Sequence, residues 1–305
     1  MKVMVTGGAG FIGSHLVDAL VSRGDGVAVL DDLSTGKFEN VNSQVNFYQG
    51  NIRDAGFVLD VVERERPRVI FHHAAQADVQ TSVKDPASDA QINIIGTINL
   101  LEAARRNNVA KVVYASSAAV YGIPHYLPVD ESHPVSLLSG YGISKYTVEH
   151  YLTIYKTMYG LDFTVLRYAN VYGPRQDAGG EGGVVAIFLD RVLRDESPVI
   201  YGDGEQTRDF VFVRDVVAAN LAAAGKAGGS VLNVSTGRAT SVNRLFNMIA
   251  ELTSSGVTPS YCPSRPGDIK DSRLDNTLAN NVLDWNPAYE LKDGLKETIK
   301  KWKKH

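Results

Sequence analysis

The chain has 305 residues, 44% hydrophobic and 21% charged, with a formal net charge of −3. That length allows a large core and a second lobe, and the near-neutral balance predicts no dedicated nucleic-acid or membrane surface. Cys262 is the single cysteine, which excludes an intramolecular disulfide and a cysteine-based metal site.

In chain order, KVMVTG (2–7) reads as a buried strand and FIGSHLVDALVSRG (11–24) as an amphipathic helix ended by Gly24. GVAVLDD (26–32) and VNFYQGN (45–51) follow as strands. AGFVLDVVERERP (55–67) is helical, and Pro67 stops it before the strand RVIFHHAA (68–75). Residues 85–108 read as one long helix, AKVVYASS (110–117) as a strand, 141 to about Gly160 as a helix, and DFTVLRYAN (162–170) as a strand. Strands alternating with helices at this spacing imply a parallel sheet covered on both faces, the Rossmann-type doubly wound α/β class. After Asn170 the pattern changes. VYGPRQDAGGEGG is a Gly-rich loop, followed by a helix over 184–194, the short pieces PVIYG and TRDFVFV, and helices near 215–225 and 241–254. The expected division is 1–170 for the nucleotide-binding part and 171–305 for a smaller C-terminal substrate lobe, with strands from about 208–235 returning to the main sheet. The start MKVMVTGGAG lacks a signal-peptide pattern, and no uncharged apolar stretch reaches the about 20 residues that span a bilayer. A soluble cytoplasmic protein is expected, and the basic tail KKWKKH (300–305) is read as solvating a helix end.

Between the first strand and helix, Gly7, Gly10 and Gly13 form a G-x-x-G-x-x-G array. Glycine there lets the backbone turn tightly and approach a pyrophosphate, while the helix N-terminus supplies N–H donors. The bland alternative is a turn with close helix–strand packing. Asp31 ends the second strand, where a carboxylate can accept from ribose hydroxyls and repel a 2′-phosphate, so NAD is favoured over NADP. Asp32 can equally be a surface residue. Asn51, closing the third strand, suits a hydrogen bond to the adenine amine, though a plain turn asparagine would look the same. His72 and His73 are neighbours on a strand and point to opposite faces, so one metal ion cannot take both easily. Core packing or a cofactor wall is the expected use, and no metal site is expected.

Ser116 and Ser117 end the strand VVYASS, and strand C-termini face the ligand crevice in open α/β sheets. Tyr141 and Lys145 are four residues apart in YGISK, on one helix face. Taken alone that pair could be two ordinary helix residues. Together with the glycine array and the strand-end serines, it converges on one edge of the sheet.

With TGGAGFIG, SSAAVYG and YGISK in place, the chain resembles the extended short-chain dehydrogenase/reductase superfamily over nearly its whole length. Within that superfamily it is most similar to the nucleotide-sugar 4-epimerases acting on UDP-galactose and UDP-glucose. NIIGTINLLEAA, LRYANVYGPRQ, GVVAIFLDR, IYGDGEQTRDFVFV and RPGD support the likeness. The resemblance implies tightly held NAD, a UDP-sugar substrate and a transient 4-keto intermediate that turns over in the pocket. It implies that Tyr141 takes the proton of the sugar 4-hydroxyl, with Lys145 favouring the phenolate and Ser117 bonding the same oxygen. It places Gly7, Gly10, Phe11, Ile12, Gly13, Asp31, Asp32, Leu33, Ser34, Thr35, Gly36, Asn51 and Ile52 against NAD. His73, Ala74, Ala75, Gln76, Ala77, Asn93, Ser116, Tyr168 and both Tyr141 and Lys145 join them. Asn170, Gly183, Val184, Val199, Ile200 and Tyr201 are implied to meet the UDP-sugar together with Ser117, Arg208 and Arg265 to grip its diphosphate, and Asp268 to contact the nucleoside. A homodimer through helices at about 91–107 and 141–159 is implied as well.

Related dehydratases and decarboxylases carry acidic residues after the strand-end hydroxyl, whereas this chain has Ala118 and Ala119, which cannot do acid–base work. Asn51 stands where the family often has Asp, His73 where a more apolar residue is common, and Gly140 where Pro usually precedes the tyrosine. Ser272 matches the pocket-gate position that a bulky Tyr narrows in some members, so N-acetylhexosamine substrates are expected to fit too. UDP-glucuronate 4-epimerisation and, in another class, a non-catalytic NAD-binding regulator are the alternative readings.

Overall fold

A computed structural model describes residues 1–179, 183–265 and 268–302. Pro266 and Gly267 of the RPGD motif, part of the Gly-rich loop and the last three residues of the basic tail lie outside the described residues. The first half runs β1 (Lys2–Thr6), α1 (Phe11–Ser22), β2 (Gly26–Asp31), β3 (Asn46–Gln49), α2 (Ala55–Glu65) and β4 (Val69–His72). It continues with α3 (Val79–Lys84), α4 (Pro86–Ala90), α5 (Gly96–Arg106), β5 (Lys111–Ser117), α6 (Gly140–Tyr159) and β6 (Asp162–Tyr168). Then come β7 (Asn170–Tyr172), α7 (Val184–Leu193), β8 (Val199–Tyr201), β9 (Thr207–Arg208), β10 (Phe210–Phe212) and α8 (Val213–Ala223). The last elements are β11 (Ser230–Val234), β12 (Thr240–Ser241), α9 (Val242–Thr253), β13 (Ser260–Cys262), α10 (Thr277–Leu283) and α11 (Leu291–Trp302).

Seven strands form one sheet in the order β11-β6-β5-β4-β1-β2-β3, every pair parallel. The order reverses between β1 and β4, which opens a crevice at the strand C-termini there. Continuous apolar strands such as Val3–Val5 and Val112–Val113 are buried because helices cover both faces. Leu16, Val17 and Leu20 of α1 pack on one face with Val216 of α8; Val58, Leu100, Val148 and Leu152 pack on the other. A third core joins Phe188 and Leu189 of α7, Phe246 and Ile249 of α9, Leu295 of α11 and Phe212 of β10.

Local signals set several ends. Ser139 caps α6 by accepting from Gly142 N at 3.1 Å, and Gly160, at φ +73°, closes it. The expected helix over 85–108 is interrupted. Asp85 caps α4, Gln91–Ile95 form a π-helical turn, and α5 stops at Arg106. Apolar periodicity cannot reveal one extra residue in a turn. Of the strands expected to return to the main sheet, only β11 joins it; β10 pairs with β7, and β9 with β12. The short helices α3 and α10 were outside the expected elements, since 6 and 7 residues carry few apolar periods. Among the described residues, no helix is long and apolar enough to cross a membrane.

Candidate active site

At the crevice, Gly7 sits at φ +69°, and a Cβ there would lie 2.6 Å from Ala74 N. A Cβ on Gly13 would lie 2.1 Å from the Gly7 carbonyl oxygen, so the turn closes directly onto the start of α1. Gly10 is the α1 N-cap and gives no side-chain cap, leaving the helix end open to an anion; Phe11 and Ile12 open the helix and pack toward the third core. Asp31, buried at the end of β2, accepts from Ala9 N at 2.9 Å and Leu33 N at 2.8 Å. Burial pushes its carboxyl above the usual range, against the pull of those two bonds. Asp32 accepts from Ser34 N and from Asn51 Nδ2, and Ser34, Thr35 and Gly36 continue the loop beside Asp31. Asn51 Oδ1 accepts from Arg53 N and Nε, so the oxygen expected to meet an adenine amine already has two donors. Ile52 is buried against Gly96.

The wall His73–Ala77 follows β4. Burial, and then the nearby Lys145 ammonium, push the His73 imidazole down to about 3, so the ring is neutral. It lies parallel to Tyr168 with centroids 6.2 Å apart, and neither ring nitrogen has a hydrogen-bond partner. Gln76 N donates to Asn93 Oδ1, and Asn93 Nδ2 donates back to the Gln76 carbonyl, both at 2.9 Å. An uncapped helix N-terminus, a glycine turn that a side chain would fill, a carboxylate at the second strand end and this flat wall together fit a dinucleotide.

The Tyr–Lys helix meets the same edge. Lys145 Nζ donates to the Ala115 carbonyl at 2.8 Å and stands 5.7 Å from the Tyr141 ring centroid. Ala115 is two residues before Ser117, whose Oγ accepts from Ala119 N at 3.2 Å. Gly142 packs on that turn, since a Cβ there would lie 2.9 Å from the Ala119 carbonyl oxygen. Ser117, Tyr141 and Lys145 are therefore gathered by β5 and α6. Ser116 points elsewhere: its Oγ donates to Glu149 at 2.6 Å, and Glu149 is paired with Arg167 at 2.5 Å in the buried core. Glu149 lies four residues beyond Lys145 and eight beyond Tyr141, a helix-face spacing that could have marked it. Arg167, on β6, carries no comparable local signal.

On the other side, Asn170, Gly183 and Val184 line a cavity of about 170 Å³ with Gln176, Val185 and Phe210. β10 pairing beside Asn170 leads back to Arg208, two residues away, whose Nη1 donates to the Thr207 and Lys270 carbonyls. Burial lowers the Arg208 guanidinium, while Asp268 and Asp271 act to raise it. Arg265 stacks over Tyr201, 3.8 Å from the ring centroid, and β13 pairs with β8 to hold Val199–Tyr201 there. Ser272 N donates to the Thr207 carbonyl, which brings the gate position into the same group. Among the described residues no cluster of three His, Cys, Asp or Glu could hold a metal ion.

The model of the NAD dependent epimerase/dehydratase family matches residues 3–235. The chain is 47% identical to a UDP-glucose 4-epimerase of Mycolicibacterium smegmatis, covering 98% of this chain and 97% of that protein. The crystal structure of a Thermotoga maritima UDP-glucose 4-epimerase with UDP-glucose aligns at TM-score 0.98 and 48% identity, covering 100% and 99% of the two chains. A UDP-N-acetylglucosamine 4-epimerase of Methanobrevibacter ruminantium, in complex with UDP-N-acetylmuramic acid, aligns at 0.95 and 38%, covering 99% and 98%.

Proposed function

Because the chain belongs to the NAD dependent epimerase/dehydratase family and is an isomerase of the nucleotide-sugar 4-epimerase kind, we propose that it interconverts UDP-galactose and UDP-glucose, and that it takes their N-acetyl counterparts too. The observation that carries this reading is the gathering of Tyr141, Lys145 and Ser117 at one strand end, followed by Ala118 and Ala119. That set can move one proton at one hydroxyl, and the alanines offer no second acid for elimination or decarboxylation.

NAD, when bound, would supply the hydride acceptor and donor by which sugar C4 passes through a transient 4-keto state and inverts. Tyr141 takes the proton of the 4-hydroxyl and later gives it back, while Ser117 hydrogen-bonds the same oxygen. Lys145, anchored on the Ala115 carbonyl, keeps a positive charge beside the phenol. Gly7, Gly10 and Gly13 receive the pyrophosphate, Asp31 the ribose, and the 73–77 wall the nicotinamide end. Arg208 and Arg265 hold the UDP diphosphate, with Asn170, Gly183 and Val184 facing the sugar. Residues up to Asn170 carry the cofactor, joined by the returning β11, and those from 171 receive the sugar nucleotide. Ile143, Ile154 and Met158, 48%, 52% and 67% exposed, share one face of α6 and support a homodimer through α5 and α6.

Proton NMR of purified protein incubated with UDP-galactose, UDP-N-acetylgalactosamine or UDP-glucuronate tests this. Conversion of each of the first two to its own C4 epimer is expected, with Tyr141→Phe slowing it by about 10²–10⁴-fold. Conversion of UDP-glucuronate alone would move the protein to that branch. An unaffected Tyr141→Phe variant would remove the tyrosine from the chemistry, and no conversion of any sugar would leave a non-catalytic NAD-binding protein.

A further inference from the structure

His72 ends β4 inside the sheet, 1% exposed, and has no part in the proton transfer above. Both its ring nitrogens are engaged, Nδ1 2.7 Å from Thr6 Oγ1 and Nε2 2.8 Å from Thr97 Oγ1. The proton positions follow from the neighbours. Thr97 Oγ1 donates to the Asn93 carbonyl at 2.6 Å, and a hydroxyl has one proton, so it must accept from Nε2–H. Burial, then Lys145 and His73, hold the imidazole well below its ordinary range, which keeps the ring neutral and makes Nδ1 the acceptor. Thr6 therefore donates to Nδ1, and its oxygen accepts from Ala74 N at 3.2 Å. The Tyr114 ring also lies beside it, tilted, with centroids 5.6 Å apart.

Every proton in this chain points the same way, from Ala74 N–H through Thr6, His72 and Thr97 to the Asn93 carbonyl. Both ends reach the site. Ala74 N is the atom a Gly7 side chain would strike. Asn93 clasps Gln76 from both sides and bonds Ser144 Oγ at 3.1 Å, and Ser144 donates to the Tyr141 carbonyl at 3.0 Å. The π-helical turn at Gln91–Ile95 is the segment that presents Asn93.

We propose that His72 is a positioning residue: its one-way hydrogen-bond chain fixes the 73–77 wall between the first glycine turn and the Tyr141 helix, and thereby sets how tightly NAD is retained. This rests on the NAD reading of the crevice. Thr6→Val and Thr97→Val each remove one partner while keeping side-chain shape. On the full-length protein, each should raise the NAD dissociation constant on the order of tenfold, with the UDP-sugar KM unchanged at saturating NAD. Thr6→Ser and Thr97→Ser keep the hydroxyl and should restore the affinity. Nitrogen NMR of histidine-labelled wild type should show His72 as the Nε2–H tautomer, with no titration between about pH 5 and 8. Valine variants that only melt earlier, with NAD affinity intact, would reduce the chain to a structural role and overturn the proposal. So would an Nδ1–H tautomer or a titrating ring. A wild type that shows the expected tautomer yet binds no NAD would instead sink the cofactor reading, and the retention claim with it.

Discussion

Replacing Arg167 by Met should expose how much of the site is held by one buried pair. Glu149 Oε1 accepts from Ser116 Oγ at 2.6 Å and Arg167 Nε at 3.0 Å, and its Oε2 accepts from Arg167 Nη2 at 2.5 Å. The two charged side chains are only 5% and 6% exposed, so water cannot stand in for the lost partner. With the guanidinium gone, a buried carboxylate keeps one donor, a loss that costs about 3–5 kcal/mol. Methionine fills much of the same volume, so a cavity adds little. Arg167→Met with Glu149→Leu removes both charges and should recover most of that loss, leaving about 1 kcal/mol for the orphaned Ser116 hydroxyl. Urea unfolding followed by fluorescence of Trp285 and Trp302 gives the difference between variants. The two tryptophans sit in or beside different cores, so one sharp transition in their combined emission, matched by circular dichroism, also checks two-state behaviour. A single variant costing under about 1 kcal/mol, or a double variant as unstable as the single, would refute the reasoning.

Gly7→Ala forces a side chain at φ +69° and 2.6 Å from Ala74 N, so NAD affinity by calorimetry should fall at least about tenfold. Unchanged affinity would mean that the turn does not shape the crevice. Ser272→Tyr should suppress turnover of UDP-N-acetylhexosamines selectively, whereas equal loss on both substrate types would dismiss the gate. Glu102 is held down to about 2, chiefly by its bond from Arg105, with Tyr155 adding a second. Its contribution is present above the ordinary value of 4.5 and is lost as pH falls toward about 2. The side chain is 32% exposed, so the contribution is below about 1 kcal/mol. The stability gap between wild type and Glu102→Gln should therefore shrink in acid, and a gap independent of pH would contradict this.

What the sequence made legible was local. The glycine turn, Asp31 at a strand end and the Tyr141–Lys145 spacing are all written within a few residues, where helix and strand periods fix direction. What stayed hidden depends on distant segments. His72 is bonded to residues 66 and 25 positions away, and Glu149 is joined to Ser116 across 33. The two adjacent serines of β5 show the same limit. Strand alternation says that Ser116 and Ser117 face opposite ways, yet only the position of Glu149 shows which one turns from the crevice. In the second half, β8 and β13 are three residues each, too short for a periodic signal, yet their pairing brings Tyr201 under Arg265.

In the proposed reaction C4 is oxidised and reduced within one closed site. UDP-galactose carrying deuterium at sugar C4, incubated with the purified protein and no added NAD in ordinary water, tests it most directly. UDP-glucose that keeps its deuterium at C4 is expected. UDP-glucose formed with that deuterium washed out into solvent would contradict it.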